Sequence, residues 1–283
     1  LVSYAYSNAL ERKVLIDSNR FLDKNKFSGY TFSNDEQKIL LETLTDNIYR
    51  RSKQAIYWIY DINTNTLEKL FDQKVQEPLF SPDGSQVAYI YRRNLFIKNL
   101  ELDIVSQITY DGDYQTINGI TDWVYEEEFG FVRAFDWSQD SNQIVYMRFD
   151  ESNVPIFSMD IYGNQTYPFP YMFRYPKAGE ENSIIELIIY NTSTRTKETI
   201  DFGNEIPYYI PRIQFIGGKH SLIIQTLNRH QNKLKLWRWD TKKKNLQLIL
   251  TEQDEAYVSI NDDLKFIEDD GFLWTSEKDG YRH

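Results

Sequence analysis

The chain has 283 residues, with 42 Asp and Glu against 32 Lys and Arg and a formal net charge of -10, a balance that argues against nucleic acid or an anionic membrane as the main partner. Cysteine is absent, which excludes a disulfide framework and any thiolate metal site, and no apolar run approaches the length of a membrane span. Aromatic residues make up 16% of the chain, a weighting that favours β-structure.

The chain begins at Leu1, not Met, and shows no signal peptide. It ends on Asp279-Gly280-Tyr281-Arg282-His283, which reads as a turn leading into a strand, so it is read as a piece of something longer. No helical periodicity holds for more than about two turns. A meander unit recurs instead: an aromatic residue, a polar turn, then an apolar run. The first copy is Phe32-Ser33-Asn34-Asp35 before Ile39-Leu40-Leu41, and its strand Ile56–Asp61 is followed by a hairpin partner at Thr66–Leu70. The second is Phe80-Ser81-Pro82-Asp83-Gly84 before Val87–Ile90. The third is Trp137-Ser138-Gln139-Asp140 before Ile144-Val145-Tyr146, with the hairpin Leu187–Asn191 to Lys197–Ile200. Weaker copies stand at Phe215-Ile216-Gly217-Gly218, with the hairpin Leu234–Asp240 to Leu246–Leu250, and at Ile260-Asn261-Asp262-Asp263.

Spacings of roughly 45 to 80 residues suit propeller blades with loop insertions. The expectation is an all-β chain, a partial β-propeller of about four complete blades with two partial ones at the ends. Two segments fit no blade, about 112–131 and the Tyr- and Pro-rich stretch about 151–180. Such insertions project toward a face or channel where ligands are met.

The first insertion carries Asp122-Trp123-Val124-Tyr125-Glu126-Glu127-Glu128-Phe129. Adjacent carboxylates repel, and partial burial raises that cost, so a cluster framed by aromatic rings is suited to receive a cation. Asp122 can cap a short helix over Trp123–Glu128, the only helical element expected. Successive helical residues are about 100° apart, so Glu127 and Glu128 can converge on one small cation. A primary ammonium, with three donors to satisfy, fits two carboxylates. The bland reading is a solvated charge run. Arg50, just before the strand Ala55–Asp61, is either an ordinary loop arginine or a fixed fork for a carbonyl or carboxylate.

No Gly-x-Ser-x-Gly elbow is present, and His220, His230 and His283 lie in polar, turn-like contexts expected at the surface. No spacing resembles a zinc site, no Gly-rich loop suits phosphate, and Asp83-Gly84 and Asn261-Asp262-Asp263 read as turns. No catalytic residue, cofactor or metal is expected in this chain.

Asn118-Gly119-Ile120-Thr121 together with Asp122–Glu128 resembles the signature of the dipeptidyl peptidase IV family of prolyl-oligopeptidase-type serine exopeptidases. Tyr175-Pro176-Lys177-Ala178-Gly179 with Asn182, Tyr49-Arg50 ahead of Ile56–Asp61, Phe80–Gly84 and Glu277–His283 fit the same pattern, so the resemblance covers essentially all of 1–283. It implies the N-terminal portion of an eight-bladed propeller, incomplete at both ends. Glu127 and Glu128 would bind the free N-terminal ammonium of a peptide, and Arg50 the carbonyl of its second residue. Tyr125 and Glu126 would support them, Glu126 either doing so or facing solvent. The serine, aspartate and histidine that release X-Pro and X-Ala dipeptides would belong to a C-terminal α/β-hydrolase domain absent here.

Two positions depart from the family pattern. Phe129-Gly130-Phe131 stands where animal members keep a small hydroxyl residue, and Tyr257-Val258 where a pocket-lining loop is normally Phe-Arg. The partners implied are N-terminal segments of peptides, the hydrolase domain and a homodimer. The absence of cysteine suggests a bacterial, Bacteroides-type source and an exported, periplasmic or cell-surface location. A non-catalytic interaction module and the propeller of a prolyl tripeptidyl peptidase are the alternatives.

Overall fold

The computed structural model describes residues 1–5, 8–16, 27–216, 220–267 and 271–283. The chain divides into two compact units, Leu1–Tyr110 and Asp111–His283. In the first unit, β1 (Val2–Ala5) pairs with β2 (Asn8–Val14). Two antiparallel meanders of four strands follow: β3 (Gly29–Phe32), β4 (Lys38–Asn47), β5 (Lys53–Asp61) and β6 (Thr66–Lys69), then β7 (Gln76–Phe80), β8 (Gln86–Tyr91), β9 (Asn94–Asn99) and β10 (Ile104–Gln107). Their facing sides share one core, in which Leu40, Ala55 and Tyr57 of the first sheet meet Phe80, Val87 and Tyr89 of the second.

The second unit opens with β11 (Thr116–Asn118), the helix α1 (Trp123–Glu128), β12 (Phe135–Trp137) and β13 (Gln143–Asp150). A hairpin of β14 (Ile156–Ile161) and β15 (Phe169–Arg174) follows, then β16 (Ile184–Asn191) and β17 (Lys197–Thr199). β11 and β12 both pair with β13, which pairs with β16, and β16 with β17. The last full sheet is β18 (Tyr209–Phe215), β19 (Ser221–Leu227), β20 (Lys233–Asp240) and β21 (Asn245–Gln253), followed by the pair β22 (Lys265–Phe266) and β23 (Phe272–Leu273). Among the described residues, four full meanders and two shorter pairs at the ends match the expected count of blades.

The recurring polar turn has one chemistry in its three strong copies. Ser33, Ser81 and Ser138 each donate from Oγ to the carboxylate two residues on, at 2.6, 2.6 and 2.7 Å. Each Oγ also accepts the N–H of the first residue of the next strand, Lys38, Gln86 or Gln143, at 2.9, 3.0 and 2.8 Å. The residue three after each serine has positive φ: Glu36 at 57°, Gly84 at 69° and Ser141 at 59°. Two of the three sites therefore force a side chain into the left-handed region, which the serine network must stabilise. The later hairpins are closed by Asp61, Asn191 and Asp240, whose Oδ1 atoms each accept two turn amides.

One sequence expectation changes. The segment 112–131 is not wholly outside the blades, because Thr116–Asn118 pairs with the far half of β13; three residues are too few for alternation to reveal a strand. The copy at Phe215-Ile216-Gly217-Gly218 runs into residues outside those described, and at Asn261 the side chain accepts only the Asp263 amide, at 2.8 Å. The stretch 151–180 does stand apart: β14 and β15 pair only with each other and expose Ile156, Met159, Phe169 and Met172.

Candidate functional site

A helix of six residues cannot hold itself together, because one turn fixes several backbone dihedrals for very few hydrogen bonds. α1 is held from outside. Asp122 caps its N-terminus as expected, with Oδ1 accepting the Tyr125 N–H at 2.9 Å. The other carboxylate oxygen accepts the hydroxyl of Ser183, just ahead of β16. Burial raises the Asp122 carboxyl pKa above its ordinary value, and these hydrogen bonds only partly oppose that.

Tyr125 is 1% exposed and makes the second tie. Its hydroxyl accepts the Ile210 N–H of β18 at 2.9 Å. Its ring meets Phe129, Phe149, Phe131 and Tyr209 at 4.8, 5.0, 5.9 and 6.3 Å between centroids, all edge-on. The third tie is at the C-terminal end, where the Phe129 carbonyl accepts from Nη1 of Arg212 at 2.9 Å. Arg212 in turn grips Asp262 through Nε and Nη2, at 2.6 and 3.1 Å.

Rotation of about 100° per residue then distributes the three glutamates. Glu126 is 2% exposed, so it does not face solvent. Glu127 is half-buried and Glu128 exposed. Burial raises the Tyr209 phenol pKa and the Asn182 hydrogen bond lowers it, while the Asp122 and Glu128 charges push it further up.

Glu128 also lines an open cleft of about 970 Å³. Trp123, Phe157, Phe173 and Tyr175 form an aromatic wall there, with Trp123 and Tyr175 centroids 4.3 Å apart. Arg229 enters the same cleft, tied to the Tyr208 hydroxyl and, at 2.9 Å, to the Glu180 carbonyl. Tyr175, Pro176, Lys177, Ala178, Gly179 and Asn182, noted in sequence as part of a family pattern, all lie on this cleft.

Arg50 is exposed in the turn between β4 and β5, where the Ile48 N–H bonds the Ser52 carbonyl at 2.9 Å. It belongs to the first unit and the glutamates to the second. β5 begins at Lys53, two residues earlier than the strand start expected at Ala55. Ser183, Arg212 and Asp262 were not identified from sequence. No local pattern marks them, because their roles depend on which strand lies beside the helix. Among the described residues, no group of three or more His, Cys, Asp and Glu side chains is arranged to hold a metal ion.

Comparison with known proteins gives consistent results. The family model described as "Dipeptidyl peptidase IV (DPP IV) N-terminal region" matches residues 33–283. The protein named "Probable dipeptidyl-aminopeptidase B" from Emericella nidulans is 31% identical over 283 aligned residues, covering 89% of this chain and 31% of that protein. Prolyl endopeptidase FAP of Mus musculus is 33% identical over 192 residues, covering 66% of this chain and 25% of its own length. The crystal structure of Porphyromonas gingivalis dipeptidyl peptidase 4 superposes with a TM-score of 0.90 at 37% identity, covering 99% of this chain and 40% of that one. The meanders are thus blades of a β-propeller. The chain spans only 31% and 33% of the length of the first two fungal relatives it matches.

Proposed function

The chain belongs to the dipeptidyl peptidase IV N-terminal region family, and from that premise we propose that it is the substrate-recognition propeller of a serine exopeptidase. Glu127 and Glu128 receive the free ammonium of a peptide N-terminus, Arg50 receives the carbonyl of its second residue, and Glu126 and Tyr125 support the pair. A C-terminal α/β-hydrolase domain of the full-length protein supplies the serine, histidine and aspartate, and the product is an N-terminal X-Pro or X-Ala dipeptide.

The observation that carries this reading is the graded exposure along α1. Glu126 is buried, Glu127 half-buried and Glu128 open, on a helix tied at one point to its own blade and at two to β18 of the next sheet. A helix backbone fixed in this way is pre-organised, so little backbone ordering cost falls on binding. An ammonium satisfies the carboxylates with charge-assisted hydrogen bonds, stronger than those of neutral groups. An acetylated or internal peptide brings no cation and forgoes these charge-assisted hydrogen bonds. The pair therefore acts as a ruler, fixing the peptide terminus at a set distance from the hydrolytic serine.

The test is steady-state kinetics of the full-length protein with Gly-Pro and Ala-Ala-Pro anilides, with mass spectrometry of the released fragment. Glu127→Gln and Glu128→Gln are each expected to lower kcat/KM for dipeptide release by roughly 30-fold or more, the rate equivalent of about 2 kcal/mol. Near-normal rates in both variants overturn the assignment. A released tripeptide selects the tripeptidyl alternative, and a full-length sequence without the nucleophile elbow selects the non-catalytic module.

A further inference from the structure

We infer that Arg212 is a positioning residue for the ammonium site, its guanidinium fixing the C-terminal end of α1 and with it the Glu127–Glu128 pair. This rests on the reading of those glutamates given above. Arg212 lies at an irregularity in β18. Tyr209 pairs with Leu227 and Arg212 with Gln225, so Ile210 and Pro211 together face Thr226 alone. Such a bulge re-aims the side chains around it, and proline is tolerated there because no ladder N–H is required. Here it directs Arg212 to the helix end.

The last carbonyls of any helix lack partners within it, and α1 has no basic residue in its last turn to serve them. Arg212 does so from a neighbouring sheet. Its Nη1 donates to the Phe129 carbonyl, immediately after Glu128, at 2.9 Å and to the Pro211 carbonyl at 2.7 Å. The guanidinium also lies 5.4 Å from the centroid of the Phe131 ring. The side chain is 27% exposed, so part of its contact surface is buried.

Asp262 completes the device. A bare guanidinium close to an ammonium site would repel the substrate or draw the glutamates to itself. The two-point grip of Asp262 neutralises that charge and locks the plane of the fork. Lysine could not reproduce the arrangement, because one ammonium cannot hold both carboxylate oxygens and the Phe129 carbonyl in this geometry. Arg212 touches no reacting atom, so its effect is expected on substrate binding and alignment.

The experiment compares R212Q, D262N, E127Q and E128Q in the full-length protein. Two rates are read: kcat/KM for a Gly-Pro anilide, and labelling of the active serine by a fluorophosphonate, which carries no ammonium. R212Q is expected to lose about 10- to 100-fold in kcat/KM, the scale of a misplacement near 1 Å, with labelling within about twofold of wild type. D262N, altering a side chain that is 65% exposed, is expected to raise KM with labelling unchanged. An R212Q enzyme with wild-type kcat/KM overturns the inference while leaving the glutamate reading intact. If R212Q depresses both rates together, D262N decides: raised KM with normal labelling supports the inference, and unchanged KM overturns it. Unaltered kcat/KM in both E127Q and E128Q overturns the ammonium reading itself, and the role of Arg212 with it.

Discussion

Tyr125→Phe isolates a single hydrogen bond between α1 and strand β18 of the neighbouring sheet. The substitution keeps the ring and its four edge-on neighbours and removes only the oxygen that accepts the Ile210 N–H at 2.9 Å. Ile210 is 1% exposed and lies within the bulge of β18, where no cross-strand partner is available to its amide. Water has no access to replace the lost acceptor. A buried donor left unpaired costs about 1–3 kcal/mol. If that cost is confined to local opening, it corresponds to about 5- to 150-fold faster exchange of the Ile210 amide. Hydrogen-exchange mass spectrometry on a peptide spanning Tyr209–Phe215 of the full-length protein reads this directly. Tyr125→Leu is the companion, because it also removes the ring pairs, each worth about 0.5–1.5 kcal/mol, and should destabilise more. Wild-type exchange in the β18 peptide of Tyr125→Phe would refute the argument that this hydroxyl ties α1 to the neighbouring sheet.

Three further outcomes follow from other parts of the chain. Ser81→Ala removes a fully buried hydroxyl that both donates to Asp83 and accepts from Gln86, and is expected to cost about 1–2 kcal/mol in urea unfolding. Lys53→Met strands the Glu42 carboxylate, which is 6% exposed; burial favours its neutral form, but Lys53, Thr45 and Ser28 together hold its pKa below 4.5. A depressed pKa adds stability above the unfolded value and loses it as pH falls through the folded one, so this acid sensitivity should weaken in the variant. The neutral-pH cost should be about 1–2 kcal/mol, below that of a fully buried pair because the Lys53 side chain is 38% exposed. Asp122 has the opposite sign: burial raises its pKa above 3.8, so the folded state binds more protons and this group's contribution falls as pH rises from 3.8 through the raised value. Asp122→Asn keeps a capping oxygen and cannot ionise, so its Tm relative to wild type should climb across that interval, and parallel Tm–pH curves would contradict the assignment.

The blades were legible in sequence because their turns are local. Ser33, Ser81 and Ser138 each bond a carboxylate two residues away and an amide five residues away, so the complete motif lies within one short window. The helix was legible for the same reason, since Asp122 and the Tyr125 amide it caps are three residues apart. The supports of the site are long-range. Ser183 lies 61 residues from Asp122, Ile210 lies 85 from Tyr125, and Arg212 lies 83 from Phe129. Nothing within a local window signals such pairings. The burial of Glu126 was equally hidden, because rotation about the helix axis is set by the blade against which the helix packs.

The bulge in β18 gives two of those distant contacts, at Ile210 and Arg212, a common origin. Without the extra residue the Ile210 N–H would enter the ladder with β19, and the side chains beyond it would alternate in register. With it, one unpaired amide and one re-aimed arginine both become available to α1, at Tyr125 and at Phe129. The two contacts bracket the glutamates, four residues apart along a helix that has little stability of its own. On a free loop the backbone carrying Glu127 and Glu128 would have to be ordered at each binding event. Tied to a sheet, that backbone is ordered when the blades fold. A deletion that removes the bulge should therefore weaken ammonium recognition, although no residue of β18 is assigned to the substrate. Restoring the regular ladder by deleting Pro211 would test that coupling, with fluorophosphonate labelling of the serine as the measure of intact folding. Equal loss of labelling and of dipeptide release would instead mark the bulge as a requirement of the fold alone.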